Sequence, residues 1–317
     1  MTIVMRMFLR FLLFLLPLQL SAQFRMVFTP QWTAQSQFAG YYVALEKGFY
    51  KSAGLDVEIV HPSVSSMAVN RIKDGSSDIV SMQLLNAMSE VSNGLELVNL
   101  MQTSQHSGLQ IISRDKNVRT FADLRGKRVG IWKTGYGELA KMPDFDMNLG
   151  IEWVPFIQNI NLFISGAIDA TLAMSYSEAL KIKAAGFDEV SVIPFVGTVY
   201  DFPDDGLYTT RSYYEKNKEN VDAFVEASRR GWEWARENVD ETINIVLKYA
   251  KKDNIATSYI MQKWMLEEIL KLQCADGCDT PTFKLDKKDF QRLDSVALEK
   301  GILRRSVGYE EMKGGPR

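Results

Sequence analysis

The chain is poor in the residues that most often carry catalysis: 317 residues contain two His and two Cys. His61 and His106 are far apart, and neither has a Ser or Cys partner in a recognisable nucleophile motif, so a hydrolase reading has little support. The cysteines, Cys274 and Cys278, stand in Cys-Ala-Asp-Gly-Cys. A metal there would need two more ligands at compatible positions, and the histidines are distant in sequence. A small disulfide loop closing the turn after a helix is the expectation, with a two-thiol metal site as the alternative. An excess of one charge is also missing. Lys plus Arg number 37 against 39 for Asp plus Glu, so nothing points to nucleic acid, and no acidic tail is present.

Long apolar runs are missing too, except at the start. Arg6 and Arg10 precede and interrupt an apolar stretch over 8–20, and the small residues Ser21 and Ala22 follow it. A basic n-region, a short h-region and a small-residue end predict a signal peptide over 1–22. The run is short for a membrane span of roughly 20 residues, and no Cys ends it, which argues against a lipid anchor; an uncleaved N-terminal anchor is the alternative. The expected mature protein, from about Gln23, is exported and periplasmic. It is long enough for two lobes at about 150 residues per domain.

Strand and helix patterns alternate along it. Strands are expected at 26–29, 57–60, 78–81 and 97–101, with helices over 65–73 and 84–91 between them. Residues 109–113 continue as an extended segment. A second series follows, with strands at 128–132, 152–155, 168–173 and 190–194, a Gly-containing turn at 133–138, and helices over 159–165 and 176–184. From 212 to 250 the pattern is of successive amphipathic helices, then helices over 255–271 and 287–300 and a loose tail from 312. The fold class is α/β: two lobes, each a mostly parallel sheet flanked by helices. Each block is short for a domain, so the helical tail is expected to complete the first. Lobe I then comprises 23–110 and 207–317, and lobe II 111–206. The two crossings, near 107–114 and 204–210, form a hinge beside a cleft.

The segment Phe38-Ala-Gly-Tyr-Tyr-Val-Ala-Leu-Glu-Lys-Gly-Phe-Tyr-Lys-Ser-Ala-Gly-Leu-Asp56 resembles the opening signature of periplasmic substrate-binding proteins related to the thiamine-pyrimidine-precursor and alkanesulfonate binders. Asp74-Gly-Ser-Ser-Asp-Ile79, Leu124-Arg-Gly-Lys-Arg-Val-Gly130 and Gly166-Ala-Ile-Asp-Ala170 are similar to three further motifs of that family, in the same order. The resemblance implies a periplasmic binding protein fold and a hinge-bending monomer without a cofactor. Such a protein captures a small molecule and delivers it to the membrane subunits of an ABC importer; presentation to a membrane receptor or sensor kinase is the alternative. Related enzymes of the family use pyridoxal phosphate and a His consumed in the reaction. The first turn here has no His, so an enzyme is not expected.

Ligands of such folds sit at strand-to-helix turns. In the first turn these are Gln31, Trp32, Gln37 and Phe38, with Tyr41 favoured by the resemblance. A Trp face can stack on a planar ring and Gln offers a donor and an acceptor; packing under the loop is the other reading of Trp32, and stapling helix to sheet that of Tyr41. Gln83 and Asn86 follow the next strand, with helix capping as the alternative for Asn86. Lobe II offers Trp132, Gly135, Tyr136, Gly137 and Glu138, then Ser175, Tyr176 and Glu178. The resemblance makes Glu178 the expected specificity carboxylate, although the helix dipole alone also favours Glu there. Tyr200 and Asp205 are weaker candidates, since Asp204-Asp205-Gly206 also reads as a turn. Aromatic and amide groups without an Arg in the first turn suit a planar heteroaromatic ligand, such as a thiamine pyrimidine precursor or a flavin-like ring, over an alkanesulfonate-type anion.

Overall fold

The computed structural model describes residues 23–63, 66–133, 137–156, 160–275 and 279–315. The expected leader, Gly135, Tyr136 and Cys278 lie outside the described residues, and with Cys278 so does the expected disulfide.

Among the described residues ten strands form two sheets: β1 (Phe24–Thr29), β2 (Leu55–Ile59), β3 (Ile79–Gln83), β4 (Leu97–Gln102), β5 (Leu109–Ser113), β6 (Arg128–Trp132), β7 (Glu152–Phe156), β8 (Ala170–Met174), β9 (Ser191–Pro194) and β10 (Asp205–Thr210). Their spatial orders are β2-β1-β3-β10-β4 and β7-β6-β8-β5-β9. Edge strand β2 alternates buried Leu55 and Val57 with exposed Asp56 and Glu58, the period-two pattern of a half-covered strand. Strand β4, covered on both faces, is buried throughout.

In each sheet four strands share one direction and one opposes them. β10 runs antiparallel to β3 and β4, and β5 to β8 and β9. The opposing strand in each case follows a crossing between the sheets, at residues 103–108 and 195–204. A chain that leaves one sheet at the carboxyl ends of its strands enters the other at the corresponding end. The carboxyl ends of both sheets therefore meet at the crossings.

The expected hinge at 204–210 is largely β10, buried from Asp205 to Thr209. Its Asp-Gly start reads locally as a turn, and pairing on both sides overrides that preference. The last two residues of the expected turn at 133–138 instead open a helix, Gly137–Met147, despite Pro143 within it. The expected loose tail is docked over its described part: Met312 is fully buried, Lys313 pairs with Asn99, and the Gly314 N–H donates to the Asn99 carbonyl at 3.0 Å. An open edge of β4 would expose unpaired backbone groups, and this segment covers it.

The helix Ala39–Glu46 explains the opening signature. It crosses the helix Lys218–Glu237 so closely that a Cβ on Gly231 would lie 2.0 Å from the Gly40 carbonyl oxygen, and one on Gly40 2.3 Å from the Trp232 ring. Tyr42 stacks on Tyr249 at 4.3 Å, and Tyr50 on Phe224 at 4.9 Å. Much of the signature is thus interior packing that joins the helical tail to the first sheet.

Candidate functional site

Because β10 opposes its neighbours, its first residue, Asp205, lies in register with the last residue of β3, Gln83. This brings Asp205 to the loop after β1. Its carboxylate accepts from Gln31 Nε2 and from Gln37 Nε2, each at 2.6 Å. Gln35 Nε2 in turn donates to Gln37 Oε1 at 2.6 Å, which fixes the Gln37 amide with its nitrogen toward Asp205. Gln31 is oriented by the same carboxylate, and its Oε1 is buried with no hydrogen-bond partner among the described residues. A buried acceptor left unpaired costs roughly 1–3 kcal/mol, so this atom is suited to a donor brought by a ligand. Asp205 and Gln37 are only 7 % and 5 % exposed.

Gln102 and Thr103, behind this cluster, were missing from the sequence-based candidates. Gln102, the end of β4, donates through Nε2 to the carbonyls of Ser104, Asp204 and Asp205, and the Asp205 carbonyl also accepts from the Thr103 and Ser104 N–H groups. Gln102 thereby ties the first crossing to the second. A polar residue ending an apolar strand was the available signal. Tyr41 belongs to this supporting layer: it is 2 % exposed, its hydroxyl contacts Thr103 Oγ1 at 3.0 Å, and its ring packs edge-on against Phe28. Burial pushes its phenol well above the usual range, although the contacts with Thr103 and Trp232 oppose the shift.

Trp32 is the exposed part of the loop, at 36 %. Its carbonyl is held by His61 Nδ1 at 2.7 Å, while Phe38 is buried with its ring 6.0 Å from the His61 ring. Asn86 Nδ2 donates to Gln83 Oε1 at 2.6 Å. Both line a narrow crevice with Leu85, Leu139, Pro203 and Asp204, which joins the first sheet, the second crossing and the helix Gly137–Met147.

On the second sheet, Trp132 ends β6 half-buried against Phe156. Gly137 opens the following helix, and Glu138 is exposed and pairs with Lys141. Ser175 follows β8. Its N–H donates to the Gly108 carbonyl at 2.8 Å, its carbonyl accepts from Trp264 Nε1 at 3.1 Å, and its Oγ is buried with no partner among the described residues. Tyr176 is buried, its ring so close to Gly108 that a Cβ there would lie 2.9 Å away. Glu178 is committed locally: it accepts from the Met174 N–H, Ser177 Oγ and Lys181 Nζ. It also stands in the first turn of the helix Glu178–Ala184, where the dipole favours a carboxylate. Asp205, at the end of the first sheet, is the carboxylate surrounded by amides.

Contacts around the crossings join the two halves. Asp201 accepts from His106 Nδ1 at 2.8 Å and from the Ser107 and Gly197 N–H groups, so one carboxylate binds both crossings. Tyr200, in the second crossing, donates to Asp146 Oδ2 at 2.8 Å, and Asp146 also pairs with Lys300 from the C-terminal region.

Comparison with known proteins places this geometry. Residues 35–242 match the family described as NMT1/THI5 like. The formylaminopyrimidine-binding protein of Halalkalibacterium halodurans is 25% identical over 223 residues, 65% of this chain and 64% of that protein, just under two thirds of its length. The riboflavin-binding protein RibY of Chloroflexus aurantiacus is 22% identical over 245 residues, 74% of this chain and 68% of that one. Among solved structures, the periplasmic aliphatic sulphonate binding protein SsuA of Escherichia coli has the same fold, with a TM-score of 0.67, 14% identity and 93% of each chain covered. A desulfurization enzyme shares the fold as well, so the architecture alone does not decide between binding and catalysis. The match over 35–242 covers most of the chain, which belongs to the NMT1/THI5-like family.

Proposed function

We propose that this chain is an exported solute-binding protein. It captures a small, planar heteroaromatic ligand that donates N–H bonds, holds it between the carboxyl ends of the two sheets, and delivers it to an ABC importer. The observation that carries this reading is the Gln31–Asp205–Gln37 cluster, with its buried, unpartnered Gln31 Oε1. An aminopyrimidine or the uracil-like edge of a flavin presents N–H donors on a flat ring, and Trp32 provides an exposed face for stacking. The relatives named for formylaminopyrimidine and riboflavin binding fit that chemistry. An alkanesulfonate fits it less well, because its anionic head would approach the Asp205 carboxylate, and like charges in a partly desolvated site repel. Closure of two lobes around the ligand supplies the buried environment, and no catalytic group is needed.

The lobes in this reading are 23–110 with 207–317, and 111–206. Thermal shift with the mature chain tests it, since a ligand that binds only the folded state raises the melting temperature. A formylaminopyrimidine or riboflavin should stabilise the protein and alkanesulfonates should not. Stabilisation by the sulfonates alone would overturn the proposal.

A further inference from the structure

The loop that carries Gln31, Trp32 and Gln37 rests on a buried pair, His61 and Tyr42. His61 Nδ1 lies 2.7 Å from the Trp32 carbonyl, and its Nε2 lies 2.8 Å from the Tyr42 hydroxyl. The Trp32 carbonyl can only accept, so Nδ1 carries the proton and Nε2 is left to accept from Tyr42. A chain of hydrogen bonds thus runs from Tyr42 through His61 to the Trp32 carbonyl and holds the loop there. Phe38 and Tyr42 pack near the imidazole, and Tyr42 is itself fixed by its stack on Tyr249.

A second partner stands beside this chain. Asp253, just beyond the helix Val239–Lys252, places Oδ2 3.9 Å from His61 Nε2. That oxygen is buried and has no hydrogen-bond partner among the described residues.

We propose that His61 is the positioning residue of the ligand loop: in its neutral form it holds Trp32 in place, and in its protonated form it turns Nε2–H to Asp253, gives up the Tyr42 bond and loosens Trp32. This rests on the reading that Trp32 faces the ligand. The proton balance is simple, because His61 takes one proton from solvent and Tyr42 keeps its own. The charged and titratable groups that face the ring are Asp253 and Lys252 from the end of that helix, and Tyr42 from the helix Ala39–Glu46. Burial outweighs the raising effects of the Trp32 carbonyl and Asp253 and holds the imidazole below its ordinary value of 6.5. The neutral, loop-holding form is therefore present at neutral pH and is lost as the pH falls through that lowered value.

The test has one arm without ligand and one with it. In protein labelled with fluorotryptophan, the Trp32 resonance is assigned by Trp32→Phe and followed from about pH 5 to 8, the range in which His changes charge, alongside the imidazole signals of the two histidines. The Trp32 resonance should move with the His61 midpoint, Asp253→Asn should lower that midpoint, and Tyr42→Phe should reduce the movement. A Trp32 resonance that stays flat while His61 titrates overturns the proposal. With a formylaminopyrimidine as probe, His61→Ala should weaken binding about five- to tenfold at neutral pH, the effect of losing one hydrogen bond, and should flatten the acid loss of affinity. If the wild-type protein does not bind the probe, the functional reading fails while the ligand-free arm still decides the role of His61.

Discussion

Replacing Asp205 by Asn separates the support of the site from its recognition of ligand. The carboxylate accepts two amide donors at 2.6 Å, from Gln31 and Gln37. Asn offers one oxygen and one NH2 group in nearly the same shape. Gln37 cannot turn over without losing its bond from Gln35, so it should keep the oxygen. Gln31 can turn over, because its Oε1 has no partner to lose among the described residues. After that flip both bonds survive as neutral ones. The stability cost is the difference between charge-assisted and neutral bonds, roughly 1–2 kcal/mol in all. Asp205→Ala would instead strand two buried amides, at roughly 1–3 kcal/mol each. Ligand binding should follow a different order. In the Asn variant Gln31 presents N–H where it had presented oxygen, donor meets donor, and affinity should fall at least tenfold, about 1.4 kcal/mol or more. Chemical denaturation gives the stabilities and titration calorimetry the affinities. An Asn variant that binds within about twofold of wild type, or one as unstable as the Ala variant, would refute the reasoning; a factor of two is only about 0.4 kcal/mol.

Three further outcomes are expected. Trp32→Ala should weaken ligand binding while leaving the melting temperature nearly unchanged, since the side chain is 36 % exposed; unaltered affinity would remove Trp32 from the site. Gly231→Ala should destabilise the protein by about 1–3 kcal/mol through overpacking, because the new Cβ would sit 2.0 Å from the Gly40 carbonyl; an unshifted denaturation midpoint would mean that the two helices part at little cost. For Asp201, burial pushes the carboxyl up, but bonds from His106, Gly197 and Ser107 outweigh it and hold the group below its ordinary 3.8. Its contribution to stability is present above pH 3.8 and lost as the pH falls through the lowered value, so wild type minus Asp201→Asn should shrink over that range in acid denaturation. A difference that is constant with pH would exclude the carboxylate as its source.

The α/β class, two sheets, helical tail and family were legible in the sequence because they rest on local patterns. Strands Leu109–Ser113 and Arg128–Trp132 have the bounds expected from their apolar runs, and Gly40 with Tyr41, Tyr42 and Tyr50 forms a signature because close helix packing restricts each of those positions. The arrangement of the site was less legible. Glu178 and Asp205 look alike as isolated carboxylates; the first bonds back to the end of β8, four residues earlier, whereas the second binds Gln31 across 174 residues of sequence. Asp204-Asp205-Gly206 has the local chemistry of a turn, and only pairing with β3 and β4 makes Asp205 the start of a strand and brings it to the loop after β1. Periodicity records which side of an element is buried. Which distant element lies against it depends on the direction and order of strands in the sheet, and these are set by tertiary pairing.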